Sequence, residues 1–399
     1  MKIAIINMVD YGSTGRIMFQ TADVARQKGF SVKTYSKKWR NQNIKTTEHK
    51  YYGYTIENAI HVILSKLFGI QGMLSILGTK QLIRDLKRYQ PDIVHLHNLH
   101  DSSTCLPVLL RALGEAEIPV VWTLHDCWAF TGQCTHFLVE NCEKWKNGCG
   151  NCRFRKNILK IDCTAWVWRK KKRSIDSIKN LTIVTPSKWL GGLVEESLFR
   201  GRPVKVINNG IDLTVFSNKS SLFKQEKKCD KKNIILAVAS VWTERKGLLD
   251  LIEIDKRLDH VKYQLVVVGT NEMIDKILPK TVISIHRTAD EMELAKLYSS
   301  ADVFINPTYE DTFPTTNIEA LACGTPVITY NTGGSPEIVD DKCGCVVECG
   351  NIDAIIYNII KICSSSKSYN NVCRKRAECY DRKDRYVEYV NLYEKIVEK

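Results

Sequence analysis

The sequence predicts an α/β protein of two doubly wound, parallel-sheet domains that face a cleft. Three observations predict it. Short runs rich in Val and Ile alternate with helical patterns. Runs of that continuous kind suit strands buried on both faces, as in parallel sheets covered by helices. The rhythm restarts near residue 233, after a lysine-rich polar stretch at 218–232 that reads as a linker. A chain of 399 residues also exceeds what one hydrophobic core ordinarily organises.

Taken in order, the first-half strands are expected at 2–7, 30–35, 93–97, 120–124, 182–185 and 204–207. The clearest of the second half are 234–239, 264–268, 303–306 and 327–329. This gives a first Rossmann-like domain over 1–215, with a cysteine-rich insertion at about 127–152, and a second over 233–375. A closing helix, 376–399, crosses back to the first domain, with Tyr386, Val387, Val390, Leu392, Tyr393 and Ile396 on its apolar positions. In open parallel sheets ligands bind beyond the carboxyl ends of the strands. The polar residues expected there are His97 and Asn98, His125 and Asp126, Ser187, Asn208 and Asn209, Gly269 and Pro307.

Composition narrows the classes. Hydrophobic residues make up 44% and charged residues 26%, as in a folded soluble protein. The richest apolar stretch, 59–78, is broken by His61, Lys66, Gln71 and glycines, and no run is long enough to cross a bilayer. The start of the chain reads as a first strand, not as a signal peptide. Fifteen scattered cysteines suit reduced thiols in the cytosol better than a disulfide framework. The formal charge is +14, which favours anionic partners. No nucleic-acid motif accompanies it, so nucleic acid is not expected as a partner. The densest basic run is Arg169-Lys170-Lys171-Lys172-Arg173. It reads either as a solvated helix face or as a membrane-surface patch. The amphipathic stretch 60–77 reads either as a second membrane-facing element or as a core-packing helix.

The stretch 309–328 carries most of the chemistry. It reads strand end, loop, helix, tight stop, next strand. Asp311 opens the loop, Pro314, Thr315 and Thr316 start the helix, and Glu319 lies one turn inside. A helix start offers unpaired N–H groups and the positive end of the macrodipole to a phosphate. A nearby carboxylate suits ribose hydroxyls. Diphosphate with ribose means a nucleotide-activated donor. The competing reading is a capping box, Thr316 with Glu319, in which Glu319 satisfies only its own backbone.

Other constellations stand beside it. The segment Asp10-Tyr11-Gly12-Ser13-Thr14-Gly15-Arg16 is a small-residue loop that admits an anion, or a plain tight turn. It lacks the spaced glycines of a dinucleotide site, and Ser36 and Lys37 stand where a ribose-binding carboxylate would, so an NAD enzyme is disfavoured. His125 could meet a transferred sugar or be structural. Arg245 and Lys246 open a helix against its dipole, which a bound diphosphate would compensate, or they are surface cations. Cys134, Cys142, Cys149 and Cys152, the last two a two-residue knuckle, suggest structural zinc or unliganded thiols. No Asp-x-Asp triplet is present to hold a metal against a sugar diphosphate.

These residues resemble glycosyltransferase family 4, retaining enzymes of the two-Rossmann GT-B fold. The resemblance rests on Asp311 and Glu319 with seven residues between, Cys323-Gly324-Thr325-Pro326-Val327-Ile328, Gly333-Gly334-Ser335-Pro336-Glu337-Ile338 and Asn209-Gly210-Ile211-Asp212. His95-Leu96-His97-Asn98-Leu99-His100, the run from His125 to Gly132, and Gly148-Cys149-Gly150-Asn151-Cys152 resemble the bacterial capsule, colanic acid and O-antigen subgroup. The family implies donor contacts from Glu319 (ribose), Thr315, Thr316 and Lys246 (diphosphate) and Asp311 (sugar). His125 would sit beside the reacting carbon, and the loop from Gly12 to Gly15 would lie near diphosphate and acceptor. Two positions depart from the family pattern. Asp311 replaces a Glu, and the Arg usual just after the first strand of the second domain is absent, with Arg245 as its substitute.

The activity so implied moves a hexose from a nucleotide diphosphate sugar, UDP by family frequency, to a lipid-linked oligosaccharide. It needs no catalytic cofactor. The first domain would bind the acceptor through residues such as Gly12, His97, Asn98, Asp126 and Asn209. The enzyme would be cytoplasmic and peripheral on the inner face of the membrane. Alternatives are another enzyme of the same architecture, a sugar phosphorylase or epimerase, or an inactive zinc-bearing binding module.

Overall fold

The computed structural model describes residues 1–38, 47–100, 102, 104–154, 157–366 and 368–398. The chain divides into two compact units, Met1–Asn208 with Arg385–Lys399, and Asn209–Asp384.

Among the described residues the first unit holds a seven-stranded sheet. Its strands are β1 (Lys2–Ile6), β2 (Ser31–Lys37), β3 (His49–Tyr52), β4 (Ile93–Leu96), β5 (Val120–Thr123), β6 (Leu181–Thr185) and β7 (Val204–Val206), in the spatial order β3-β2-β1-β4-β5-β6-β7. Every pairing is parallel. The strand order reverses between β1 and β4, and the chain segments leaving these two strands are tied by the Met8 N–H to the Asn98 carbonyl at 2.9 Å. Strand β3 escapes sequence reading because its four residues, His-Lys-Tyr-Tyr, carry no aliphatic run. Its place in the sheet comes from the buried side chains of His49 and Tyr52.

The second unit holds, among its described residues, β8 (Asn233–Val238), β9 (Tyr263–Val268), β10 (Ile283–Ile285), β11 (Val303–Asn306), β12 (Val327–Tyr330) and β13 (Gly344–Val347), in the order β10-β9-β8-β11-β12-β13. Strand residues alternate between two cores. Ile234, Leu236 and Phe304 pack with Ile318 and Leu321 on one face. Ile235, Ala237 and Val303 pack with Leu251 and Ile254 on the other. That is the period-two pattern of a strand buried on both sides. The edge strands β10 and β13 lie outside the sequence expectation, being only three and four residues long and partly exposed.

Three expectations need correction. The stretch 218–232 is not a free linker. It contains the turn of helix Phe223–Glu226, and Phe223 and Cys229 are buried in the second unit's core. The stretch 60–77 is not one amphipathic element. A helix Thr55–Phe68 stops at Gly69, whose φ of 72° lies in the left-handed region, and a second helix runs Ile76–Tyr89. The basic run 169–173 lies on the helix Thr164–Asp176 and is not uniformly solvated, because Lys171 is fully buried. At the end of the chain, the helix Arg382–Val397 buries Tyr386, Tyr389, Val390 and Tyr393 against Ile3, Ile5, Val121, Val184 and Ile207 of the first unit's core.

Candidate active site

The polar side chains gather at the carboxyl ends of the strands, beside the point where each sheet reverses order. In the second unit that point is between β8 and β11. After β8 the chain makes a short 3-10 turn, Glu244–Lys246, and then Gly247 with φ 78°. A Cβ on Gly247 would stand 2.1 Å from the Pro307 carbonyl oxygen, so only glycine admits this approach. The approach brings the turn onto the segment after β11. The Tyr309 N–H donates to the Arg245 carbonyl at 2.8 Å. The Arg245 guanidinium donates to the Glu310 carbonyl at 2.5 Å. Lys246 Nζ meets Asp311 Oδ2 at 2.5 Å, with both side chains about one-fifth exposed. Burial alone would raise the Asp311 pKa, but the Lys246 charge and hydrogen bond hold the carboxyl below its ordinary range.

The helix Thr315–Ala322 starts from Pro314, whose φ of −70° and ψ of 107° place it just outside the helix. No side chain caps this start. The N–H groups of Thr315 and Thr316 have no acceptor among the described residues, as the first turn of a helix leaves them. The capping-box alternative is therefore not what forms. Thr316 lies inside the helix, and Glu319 Oε2 accepts a hydrogen bond from the Tyr298 hydroxyl at 3.1 Å. Sequence reasoning missed Tyr298. It also missed the buried Asn306 to Asn317 amide bond of 2.7 Å that ties the helix to β11.

In the first unit, β4 and β5 end in a file of imidazoles. His97 Nδ1 lies 2.9 Å from His125 Nε2, and the two ring planes are nearly parallel, 8° apart, with centroids 5.3 Å from each other. The His95 ring lies 4.1 Å from that of His97. Asp126 accepts from Asn98 Nδ2 at 3.2 Å and from the Trp128 N–H at 2.8 Å, and His100 Nε2 lies 2.9 Å from its carboxylate. Burial pushes the His125 pKa down to about 4; Asp126 opposes the shift and His100 adds to it. Burial alone would raise the Asp126 pKa, but His100, the Trp128 N–H and His136 together hold the carboxyl below its ordinary range.

Several expected site residues do something else. His97 is fully buried, and the atom it brings to a neighbour is Nδ1, within hydrogen-bond distance of His125. Gly12 and Gly15 lie in the first turn of the helix Gly12–Gln27, not in an open loop, and the Gly15 N–H already donates to the Tyr11 carbonyl at 3.3 Å. Asn209 is buried at the start of the second unit. For the cysteines the sequence leaves structural zinc or unliganded thiols. Among the described residues, no group of three or more His, Cys, Asp or Glu is arranged to hold a metal ion. Cys149 Sγ instead accepts from the Gly132 N–H at 3.1 Å, and burial pushes its thiol up to about 11.

A buried lysine, read from the sequence only as part of the basic run, holds this insertion. Lys171 Nζ donates to the Trp128 carbonyl at 2.6 Å and the Thr131 carbonyl at 3.0 Å, and stands 3.4 Å from the centre of the Trp128 ring. It thus clamps the loop that directly follows His125 and Asp126. Helical spacing is the signal that could have found it, since Lys171 shares a face with Val167, Trp168 and Ile175.

Two doubly wound sheets, each with its polar groups at the switch point, define the GT-B glycosyltransferase class. The Glycosyltransferase Family 4 profile matches residues 15–215, just over half the chain, and the profile for Glycosyl transferases group 1 matches 218–378. The chain belongs to Glycosyltransferase Family 4. It is 26% identical over 266 residues to WcaC of Escherichia coli (strain K12), named as a colanic acid biosynthesis glycosyl transferase, covering 64% of this chain and 63% of that protein. It is 24% identical over 202 residues to the N,N'-diacetylbacillosaminyl-diphospho-undecaprenol alpha-1,3-N-acetylgalactosaminyltransferase of Campylobacter jejuni, covering 47% of this chain and 53% of that one. The chain thus matches less than two thirds of either relative's length. Among solved structures, Anabaena Alr3699/HepE in complex with UDP superposes with a TM-score of 0.70 at 14% identity, covering 99% of this chain and 100% of that chain.

Proposed function

We propose that the protein is a retaining glycosyltransferase of surface polysaccharide synthesis, moving a hexose from a nucleotide diphosphate sugar, UDP favoured, to a lipid-linked saccharide. The observation that carries this reading is the uncapped start of the helix Thr315–Ala322 beside Lys246, Arg245 and Asp311. Free N–H groups and two cations suit a diphosphate, and Glu319, 7% exposed, suits the ribose. In this role Asp311 contacts the sugar and His125 stands near the reacting carbon. The sugar C1–O bond to phosphate breaks as the acceptor oxygen bonds the same face, and the acceptor proton passes to the leaving phosphate oxygen. Preorganised charge stabilises the departing diphosphate. The UDP complex of the Anabaena neighbour and the undecaprenol-linked substrate in the Campylobacter relative's name support the choice of donor and acceptor.

A peripheral location on the inner face of the cytoplasmic membrane is supported by the helix Thr55–Phe68, whose polarity is inverted. It buries Asn58, His61 and Ser65 and exposes Ile56, Ile60 and Ile63. Lys80, Arg84 and Lys87 line a groove with Tyr54, Leu77 and Ile83 beside it. Apolar side chains flanked by cations suit an anionic lipid surface. No described helix is long and apolar enough to cross a membrane.

A thermal-shift panel of UDP, GDP, ADP and their common sugars tests the donor. Stabilisation by one nucleotide series is expected, and NMR of the product should show the donor's anomeric configuration kept. Indifference to the whole panel, or an inverted product, sinks the reading.

A further inference from the structure

We infer that His97 is a positioning residue that fixes the tautomer and the ring plane of His125, and that the C-terminal helix anchors it through His95. The inference rests on the reading of His125 as part of the active site. It starts from hydrogen bonds that leave one arrangement of protons. Thr123 Oγ1 donates to the Tyr389 hydroxyl at 3.2 Å, so its lone pair is open to His95 Nε2, 2.7 Å away. His95 therefore carries its proton on Nε2. Its bare Nδ1 accepts from the Tyr393 hydroxyl at 2.5 Å. Both tyrosines belong to the helix Arg382–Val397, and the Tyr389 ring stacks on His95 at 5.1 Å.

His97 comes next in the file. Its Nε2 is buried and has no partner among the described residues. An N–H left without an acceptor in the interior is rarer than an unfilled lone pair. The proton of His97 accordingly sits on Nδ1 and is donated to His125 Nε2. His125 must then carry its own proton on Nδ1 and act as a donor from that atom. The neighbouring backbone holds the file in place, with the Trp122 indole N–H on the His97 carbonyl at 3.0 Å and the His97 N–H on the Ile6 carbonyl at 2.8 Å. His125 thus presents one polarity to whatever it meets.

The test uses the full chain labelled with 15N-histidine. Long-range proton–nitrogen correlation near neutral pH reads each ring's tautomer without reference to activity. The expected result is His125 protonated on Nδ1 in the parent protein and shifted toward the Nε2–H form in His97→Leu. His97→Asn places an amide N–H where Nδ1 stood and should restore the Nδ1–H form. His97→Gln offers its N–H at the Nε2 position and should not. Turnover should follow the tautomer. His97→Leu should lower kcat by about tenfold or more with the donor KM within about twofold, and His97→Asn should recover it. An Nε2–H His125 in the parent protein, or one unmoved in His97→Leu, overturns the inference. His125→Ala separates the two readings. If it loses turnover while His97→Leu keeps it, the positioning role alone fails. If it keeps full turnover, the catalytic reading of His125 fails as well.

Discussion

The two switch points are built from opposite electrostatics. The end of the first sheet is a file of neutral imidazoles, with His97 and His125 pushed far below their ordinary pKa by burial and His95 down to about 3. The end of the second sheet is a set of charges, Arg245, Lys246 and Asp311, partly open to solvent. Enclosure explains the difference. His95 and His97, fully buried, cannot hydrate a proton and stay neutral, and His125, partly buried beside them, is pushed the same way. A Lys–Asp pair at an open helix start keeps its charge and can exchange partners with an arriving diphosphate. One end is suited to orienting a neutral group, the other to holding an anion.

Acid should break the comparison most strongly. The folded pKa of His125 lies below the ordinary 6.5, so its contribution to stability is full above pH 6.5 and is lost as pH falls through about 4. For this ring alone the shift corresponds to about 3 kcal/mol. The groups around it are His97, His100 and Asp126; the Asp126 carboxylate favours protonation of the ring, and His100 disfavours it. Calorimetry from pH 7 to pH 4 should show the melting temperature falling across this window; a flat profile would contradict the neutral file.

Lys171→Met comes next. It removes the Lys171 donor from the Thr131 carbonyl and from the Trp128 carbonyl, which keeps the Thr131 N–H at 3.3 Å, and costs about 1–3 kcal/mol. Arg173→Ala, two residues away and exposed, should stay within about 0.5 kcal/mol. Equal urea midpoints for the two variants would show that the loop after His125 does not depend on the buried cation.

At the charged end, Lys246→Ala should weaken nucleotide binding by about 1.5–3 kcal/mol, the size of a hydrogen bond to a charged group, as read by titration calorimetry. Unchanged affinity would leave Lys246 as a partner of Asp311 only. Glu319→Gln should have the smallest effect, about 1 kcal/mol in the same titration, since it keeps shape and an acceptor but loses charge. Tyr298→Phe serves as its control. If removing the tyrosine hydroxyl weakens binding as much, Glu319 acts through its buried neighbour.

Much of the architecture could be read from the residues. Ten of the strands announced themselves as Val- and Ile-rich runs, because a strand covered on both faces must be apolar at successive positions. Three of the four edge strands, β3, β10 and β13, did not, since an edge needs less burial; the fourth, β7, did through Val204 and Val206. Asp311 and Glu319 were found by their spacing about one helix start, which is local chemistry. The burial of His97 was not legible. A polar residue at a strand's end looks the same in sequence whether it faces solvent or a second ring.

From the residues alone came two doubly wound sheets, the chain's membership of a sugar-transfer family, and the helix start that suits a diphosphate. Each of these depends on contacts between near neighbours or on the period of burial. Tertiary structure alone decided that Lys171 is interior, that Glu319 answers Tyr298, and that tyrosines almost 300 positions downstream hold His95. Those outcomes turn on which side chains meet across long stretches of chain, and on how much water each meeting excludes.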